Sequence, residues 1–290
     1  MRKSIGVLML LSLVGLAGCA TVPRLQPISD SGQWLPGKFI WRDLVTPTPY
    51  LSQKFYTALL GWKFEPVADS GYFVIQSAGE PIGGLVDANR LGRKPESAVW
   101  LSAVSVANVD EAVGLVAGAG GKVLQEPADI PGRGRTAVVA DSAGAVLRLF
   151  HTEQGDPPDR EAGLNQWLWT ELIADDPAGA AAFYQAALGY EVAASEIADG
   201  STYRVLKQSG RERAGILANP FADTRAAWIP CVRVASVKEA GERVVQQGGK
   251  LVVAPDEARR GGTVALVLDP GGAPLVLQEW GPQTEKGAAP

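Results

Sequence analysis

The sequence predicts an α+β fold of four βαβββ units, arranged as two tandem modules. Three observations support this prediction. A Trp-x-x-Leu motif at Trp41 returns 128 residues later at Trp169, together with most of the landmarks that follow it. Each copy contains two amphipathic helix patterns, and each helix pattern is followed by three short strand patterns separated by turn residues. A repeat of this length indicates two similar modules fused in one chain.

The first unit of module 1 begins with a strand and a helix. Phe39 to Val45 is apolar with polar insertions, which is typical of a strand. Thr48 and Pro49 supply a helix N-cap and a first helical residue. Apolar residues then recur at helical spacing until Gly61, which is a typical C-terminal cap. Three short strands complete the unit, at residues 62–66, 72–76 and 82–87.

The second unit repeats this order. A strand at 99–106 precedes a helix at 109–119, which the pair Gly120-Gly121 ends. Strands are predicted at 122–125, 136–140 and 146–151. Module 2 is a cleaner copy, in which Asp176 caps a helix that begins at Pro177 and 237–247 forms the second helix.

The N-terminus predicts export and a lipid anchor. Arg2 and Lys3 precede an apolar run that is too short to span a bilayer comfortably, and the run ends in Leu16-Ala17-Gly18-Cys19. This ending resembles a bacterial lipobox, which implies cleavage before Cys19 and lipidation of that residue. An ordinary signal peptide with an incidental cysteine is the alternative. Ala20 resembles an outer-membrane sorting signal, so we expect a lipid-anchored protein of the bacterial cell envelope, facing the periplasm in a Gram-negative cell.

The expected domain order follows from these patterns. It comprises a signal peptide (1–19), a tether (20–37), module 1 (38–152), a linker (153–165), module 2 (166–281) and a disordered tail (282–290). The net charge of −4 and the lack of a basic stripe argue against a nucleic-acid partner. With Cys19 lipidated, Cys231 is the remaining cysteine, so an intramolecular disulfide is excluded. We expect Cys231 to be buried. Pairing of modules within one chain favours a monomer.

Several motifs together resemble one superfamily. Phe-Tyr follows the motif tryptophan after fourteen residues in both copies, Leu-Gly-Trp or Leu-Gly-Tyr comes next, and an Asp-x-x-Gly turn precedes each final strand (Asp141–Gly144 and Asp269–Gly272). In this order, twice, over about residues 38–280, they resemble the vicinal oxygen chelate superfamily. That superfamily includes glyoxalase I, extradiol dioxygenases and the fosfomycin- and bleomycin-resistance proteins. The resemblance implies two glyoxalase/bleomycin-resistance-type modules, each with curved strands wrapped around a cleft.

The resemblance also implies a divalent metal held by His, Gln or Glu at three places in the cleft. This sequence has no such donor at any of them. The residues found there are Trp41 and Trp169 at the first place, Leu101 and Ile229 at the second, and Arg148 and Val276 at the third. Metal sites need nitrogen, oxygen or sulfur donors, and the one histidine, His151, ends a strand. We therefore predict neither a metal nor another cofactor.

Strand alternation leaves a different candidate site on the cleft face. In module 1 it comprises Trp41, Asp43 and Arg148, and in module 2 it comprises Trp169 and Glu171. These residues either form a ligand pocket or fill the space of the absent metal, with Asp43 and Arg148 as a structural ion pair. For module 1 both interpretations stay open. For module 2 filling is favoured, because Val276 replaces the arginine.

Two weaker signals flank this site. Arg42 and Thr170 are expected to point away from the cleft. The loop Gly132–Arg135 is expected to be a plain turn with solvated arginines, and Arg259–Gly262 occupies the similar loop of module 2. In the superfamily this loop borders the cleft mouth, where arginines would meet an anionic ligand.

The favoured function is metal-free binding of a small aromatic or amphipathic molecule by a membrane-tethered protein. The first alternative is a lyase or dioxygenase of the superfamily with an atypical site, in which Asp43 or Glu171 is the general base. The second is a structural or interaction protein of the cell envelope.

Overall fold

The computed structural model describes residues 24–91, 96–196, 202–221 and 224–281. The predicted signal peptide with Cys19, and the predicted tail 282–290, lie outside the described residues. Module 1 comprises β1 (Phe39–Thr46), α1 (Pro49–Leu60), β2 (Lys63–Pro66), β3 (Tyr72–Ser77), β4 (Glu80–Asp87), β5 (Val99–Ser105), α2 (Val109–Gly118), β6 (Lys122–Ile130), β7 (Gly134–Ala140) and β8 (Val146–Thr152). Module 2 comprises β9 (Trp167–Ala174), α3 (Pro177–Leu188), β10 (Glu191–Glu196), β11 (Thr202–Gln208), β12 (Arg211–Ala218), β13 (Ala227–Val234), α4 (Val237–Gln246), β14 (Lys250–Val253), β15 (Val264–Leu268) and β16 (Pro274–Glu279). The predicted fold class, with four βαβββ units, is confirmed.

Each module forms one mixed eight-stranded sheet. The strand order is β2-β3-β4-β1-β5-β8-β7-β6 in module 1 and β10-β11-β12-β9-β13-β16-β15-β14 in module 2. The first strand of each unit therefore lies at the centre, where β1 pairs antiparallel with β5 and parallel with β4. Neighbouring strands cover both edges of these central strands. Their side chains therefore form the floor of a cleft.

Local chemistry explains most element ends, with two differences from the predictions. Both first helices end at a glycine in the left-handed conformation, Gly61 (φ 70°) and Gly189 (φ 71°). Asp176 caps α3 by accepting a hydrogen bond from the backbone N–H of Gly179 at 2.9 Å, whereas the side chain of Thr48 makes no cap bond to α1. Strand β6 runs beyond the predicted end to Ile130, because an edge strand with register shifts tolerates proline.

The helices of the two modules pack crosswise. Buried side chains of α2 and α3 form one core cluster, in which Val116 and Phe183 take part. Those of α1 and α4 form a second cluster, in which Phe55 and Val244 take part. Each module thus buries its helices against the other module, so the two modules share their hydrophobic cores.

Reciprocal hydrogen bonds join the modules at the turns before their last strands. Asp141 of module 1 accepts a hydrogen bond from the Tyr184 hydroxyl of module 2 at 3.0 Å. Asp269 of module 2 accepts one from the Ser52 hydroxyl of module 1 at 3.2 Å. Burial raises the pKa of both aspartates above its ordinary value, although backbone N–H groups of their turns also bind them. The Phe-Tyr and Asp-x-x-Gly motifs therefore serve the contact between modules.

Arg42 and Thr170 meet at this interface. Arg42 is buried, and its Nη2 donates to the Thr170 hydroxyl at 2.6 Å. Its guanidinium lies 4.9 Å from the centre of the Trp167 ring. Desolvation lowers the pKa of Arg42 to about 9, so the group is still a cation at neutral pH. The two repeat-related positions contact each other on the strand face opposite to Trp41.

The described part of the predicted tether packs on module 1. Ile28 is buried beside Trp41 and Phe150. The carboxylate of the buried Asp156, in the segment between the modules, accepts hydrogen bonds from the backbone N–H of Leu35 at 2.7 Å and from the Ser105 hydroxyl at 2.6 Å. From Arg24 onward this segment is thus part of the module. Among the described helices, none is long and apolar enough to cross a membrane.

The reciprocal contacts yield a stability prediction. Tyr184→Phe removes the hydroxyl that binds Asp141 and that accepts a hydrogen bond from Trp228 Nε1 at 2.8 Å. Since both partners stay buried, we expect the free energy of unfolding to fall by about 1–3 kcal/mol. Urea denaturation followed by circular dichroism measures it. Tyr50→Phe, at a side chain that is 74% exposed, is the control and should change nothing. Equal stabilities of the two variants would contradict the prediction.

Candidate functional site

The floor of the module 1 cleft is a pair of side chains on β1. Alternation along the strand directs Trp41 and Asp43 to the same face, and Trp41 Nε1 donates to Asp43 Oδ1 at 2.9 Å. Each residue is 2% exposed. A buried carboxylate needs several donors to offset the loss of water, and further donors surround this one.

Tyr72 on β3 completes a triad that sequence reasoning missed. Its hydroxyl donates to Asp43 Oδ1 at 2.9 Å and accepts from Trp41 Nε1 at 3.1 Å. Burial, together with the nearby Asp43 charge, raises the pKa of Tyr72, so the phenol stays protonated. The signal was in the repeat, because Tyr72 and Tyr203 align between the modules.

A glycine in β4 makes room for the triad. Gly84 pairs with Asp43 in the parallel register of β1 and β4. A Cβ at Gly84 would lie 2.1 Å from the Tyr72 hydroxyl and 2.3 Å from Asp43 Oδ1. Gly215 has the same relation to module 2, where a Cβ would lie 1.8 Å from the Tyr203 hydroxyl. Glycine inside a strand often marks such a close approach, which explains one residue of the Gly83-Gly84 pair.

Arg148 on β8 binds the other oxygen of the carboxylate. Its Nη1 lies 2.5 Å from Asp43 Oδ2, and both side chains are almost fully buried. Asp43 therefore binds donors from three different strands. The sequence-predicted residues Trp41, Asp43 and Arg148 do come together, and the ion pair considered for Asp43 and Arg148 is present.

Arg133 lies in the loop that the superfamily resemblance puts at the cleft mouth, although it was not among the predicted site residues. The prediction of a plain turn with solvated arginines is wrong at this position, because Arg133 is 4% exposed. Its guanidinium carbon lies 4.2 Å from the centre of the Trp41 ring and 5.9 Å from that of Tyr72. Arg135 does fit the prediction, since it is partly exposed and bonds to the exposed Asp110. Backbone geometry directs the first arginine inward, and sequence alternation alone does not reveal it.

These side chains line a cavity of about 290 Å³. Its polar lining includes Asp43, Arg133 and Arg148, and apolar side chains contribute much of the remaining wall, among them Ile130, Pro131, Phe150 and Val86. Leu25, from the N-terminal segment, also contributes to the wall, and its N–H donates to the Pro131 carbonyl at 3.0 Å. Trp41 thus forms the wall of an open space in addition to packing in the core. A concave, largely apolar surface with polar groups placed to orient a ligand is typical of small-molecule sites.

Module 2 contains the same triad with a different arginine. Trp169 Nε1 donates to the Tyr203 hydroxyl at 2.9 Å, and that hydroxyl donates to Glu171 Oε1 at 2.9 Å. Arg260, from the loop equivalent to that of Arg133, forms an ion pair with Glu171. Trp169 also packs in an apolar cluster with Val276 and Cys231. The sequence-predicted Trp169 and Glu171 are thus adjacent, and the loop arginine satisfies the acid.

The donor chemistry of the clefts does not fit a divalent metal. In module 1 the oxygens of Asp43 and Tyr72 lie beside the cations Arg148 and Arg133. In module 2 Glu171 is bound to Arg260. A further cation would be repelled at either place. Within the described ranges, no group of three or more His, Cys, Asp or Glu side chains is placed to hold a metal ion. His151 instead stacks on Trp34 with ring centres 5.7 Å apart.

Comparison with known proteins identifies relatives of both the sequence and the fold. A glyoxalase-like domain family matches residues 169–277. The glyoxylase-named protein CFP32 of Mycobacterium bovis is 29% identical over 84% of this chain and 95% of its own length. The anthracycline biosynthesis protein DnrV of Streptomyces peucetius is 28% identical over 85% of this chain and 94% of its own.

Solved structures with the same fold are more distant in sequence. The Mn(II)-bound glyoxalase of Novosphingobium aromaticivorans has a TM-score of 0.58 at 16% identity, over 84% of this chain and 82% of its own. The 2,3-dioxygenase LapB of Pseudomonas sp. KL28 has a TM-score of 0.58 at 14% identity, over 87% of this chain and 94% of its own. These similarities establish the arrangement of paired βαβββ units.

The glycine of the triad gives a test of the site geometry. We expect Gly84→Ala to destabilise the protein by about 1–3 kcal/mol, because the added methyl overlaps the Tyr72 hydroxyl and Asp43. Thermal unfolding measures the change. Gly114→Ala is the matched control, since a Cβ there meets open space on α2 and alanine favours a helix. A Gly84 variant as stable as the Gly114 variant would show that the triad is not packed as described.

Proposed function

Because the chain belongs to the vicinal oxygen chelate superfamily, we propose that its module 1 cleft binds a small aromatic or amphipathic molecule without a metal. The observation that carries this proposal is the cavity of about 290 Å³ beside the indole of Trp41. Trp41 contributes to a wall that also contains apolar side chains such as Phe150, while Asp43, Arg133 and Arg148 supply polar groups that orient a ligand. The volume is at the lower end of small-molecule sites, so it suits one or two rings.

The names of two relatives also support an aromatic ligand. DnrV and the related DauV of Streptomyces sp. are named for anthracycline biosynthesis, and anthracyclines contain fused aromatic rings. Module 2 is less suited to ligand binding, because Glu171 is bound to Arg260 and Trp169 packs among apolar side chains. We therefore assign binding to module 1.

An enzyme with a carboxylate base is the weaker candidate. A general base needs a carboxylate oxygen within hydrogen-bond reach of the substrate proton. Both oxygens of Asp43 already accept hydrogen bonds, from Trp41 and Tyr72 at one oxygen and from Arg148 at the other. Stoichiometric metal in the purified protein, with an activity lost on chelation, would favour the enzyme instead.

Calorimetric titration with 2-naphthamide, a neutral two-ring compound, tests binding in the cleft. We expect saturable binding that Ala128→Phe weakens about tenfold or more, because the added ring enters the cavity that Ala128 lines. Ala193→Phe, at an exposed position on the edge strand β10 of module 2, is the matched control and should bind like the wild type. Trp41→Phe should weaken binding less than Ala128→Phe. Binding that neither cavity variant changes would exclude this cleft.

We further propose that a lipid on Cys19 anchors the chain to the membrane of a bacterial envelope. The lipobox-like sequence Leu16–Cys19 supports this. From Cys19 to Leu25, which lines the cavity, the chain extends at most about 20 Å. An anchored protein would therefore hold its cavity close to the bilayer surface, where amphipathic molecules accumulate.

Metabolic labelling with a radioactive fatty acid in the native host tests the anchor. The wild-type chain should incorporate label and partition into detergent, whereas Cys19→Ser should lose both properties because lipidation needs the thiol. Cys231→Ser, at the buried cysteine, is the control and should stay labelled. Labelling that persists in the Cys19 variant would contradict the proposal.

A further inference from the structure

Arg133 is a buried cation without an anionic partner in the described part of the chain. It is 4% exposed, and among the described residues no carboxylate forms an ion pair with its guanidinium. Its Nε is enclosed and unsatisfied. The faces of Trp41 and Tyr72 stabilise it partially. Burial of an unpaired charge is costly, and proteins normally offset the cost with an opposite charge.

The acids that line the cavity are already paired. Asp43 binds Arg148 at 2.5 Å, and Asp87 lies 3.9 Å from Arg90. Asp129 lies 3.2 Å from Arg135, which does not line the cavity, and the Asp129 side chain is 77% exposed. Arg133 therefore has no carboxylate within reach among the described residues that line the cavity.

Module 2 provides an internal comparison. Its loop arginine, Arg260, pairs with Glu171, and Val276 occupies the position of Arg148. In module 2 one arginine lies beside the one acid of the triad. In module 1 two arginines lie beside the one acid of the triad. The extra cation faces the cavity, next to an aromatic wall.

Resting on the function proposed above, we propose that the module 1 cavity takes an aromatic carboxylate, whose charged group pairs with Arg133. A guanidinium and a carboxylate form short, strong, charge-assisted hydrogen bonds. The ring system would then extend along Trp41 towards the apolar wall near Phe150. The ligand carboxylate would pair with Arg133 in module 1 as Glu171 pairs with Arg260 in module 2.

Two ligands that differ only in charge test the inference by calorimetric titration. 2-Naphthoate and 2-naphthamide share the same rings and almost the same shape. We expect the wild-type chain to bind the carboxylate about tenfold or more tightly than the amide. The preference should disappear in Arg133→Met and be retained in part in Arg133→Lys, which keeps the charge. Arg135→Met, two residues away and partly exposed, should behave like the wild type.

The outcomes separate the two proposals. Equal binding of both compounds would overturn the anionic-ligand inference and leave a neutral aromatic site. Binding of neither would overturn the proposed function together with the inference. A carboxylate preference that survives in Arg133→Met, with the fold verified by circular dichroism, would assign recognition to another cation and also overturn the inference. If Arg133→Met fails to fold, the Arg133→Lys variant and the wild-type preference decide.

Discussion

The crossed contact between the modules is the interaction on which the rest of the structure depends. Asp141 binds Tyr184 of the other module, Asp269 binds Ser52, and the helices pack in crosswise pairs around these bonds. Each core contains helices of both modules, α2 with α3 and α1 with α4, so the burial of these helices depends on the contact between the modules. Because the helices cover this interface, the opposite face of each sheet is left to form a cleft. The buried aspartates are costly, and the turn N–H groups and the hydroxyls of the partner module offset that cost.

On that cleft face the two modules have the same triad of tryptophan, acid and tyrosine, but they differ in their cations. In module 2 Arg260 forms an ion pair with Glu171, the acid of the triad. In module 1 Arg148 forms an ion pair with the acid, and Arg133 lies over the ring of Trp41. At the expected donor positions this chain has hydrogen-bonded or apolar side chains, and the fold alone does not determine the chemistry of such a site.

The sequence predicted the fold well because the signals for it are local and repeated. The left-handed glycines after α1 and α3, the cap at Asp176 and the two-residue period of the strands each act through neighbours in the chain. The candidate site was predicted less completely. Trp41 and Arg148 were predicted because they occupy the places of expected ligands, and Asp43 because strand alternation puts it on the same face as Trp41. Tyr72 and Gly84 were present in the repeat, but their relation to Asp43 depends on strand register across the sheet, which a single sequence does not reveal.

The sequence by itself determined two modules, their element order, and a cleft face with no metal donors at the expected positions. The tertiary structure decided which charges are paired. Arg133 and Arg135 are two residues apart in one loop, yet one is buried against Trp41 and the other bonds to Asp110 near the surface. Arg148 lies 105 residues from Asp43 in the chain and 2.5 Å from it in space. Electrostatic interactions depend on distance and burial, and both are set by how the chain packs.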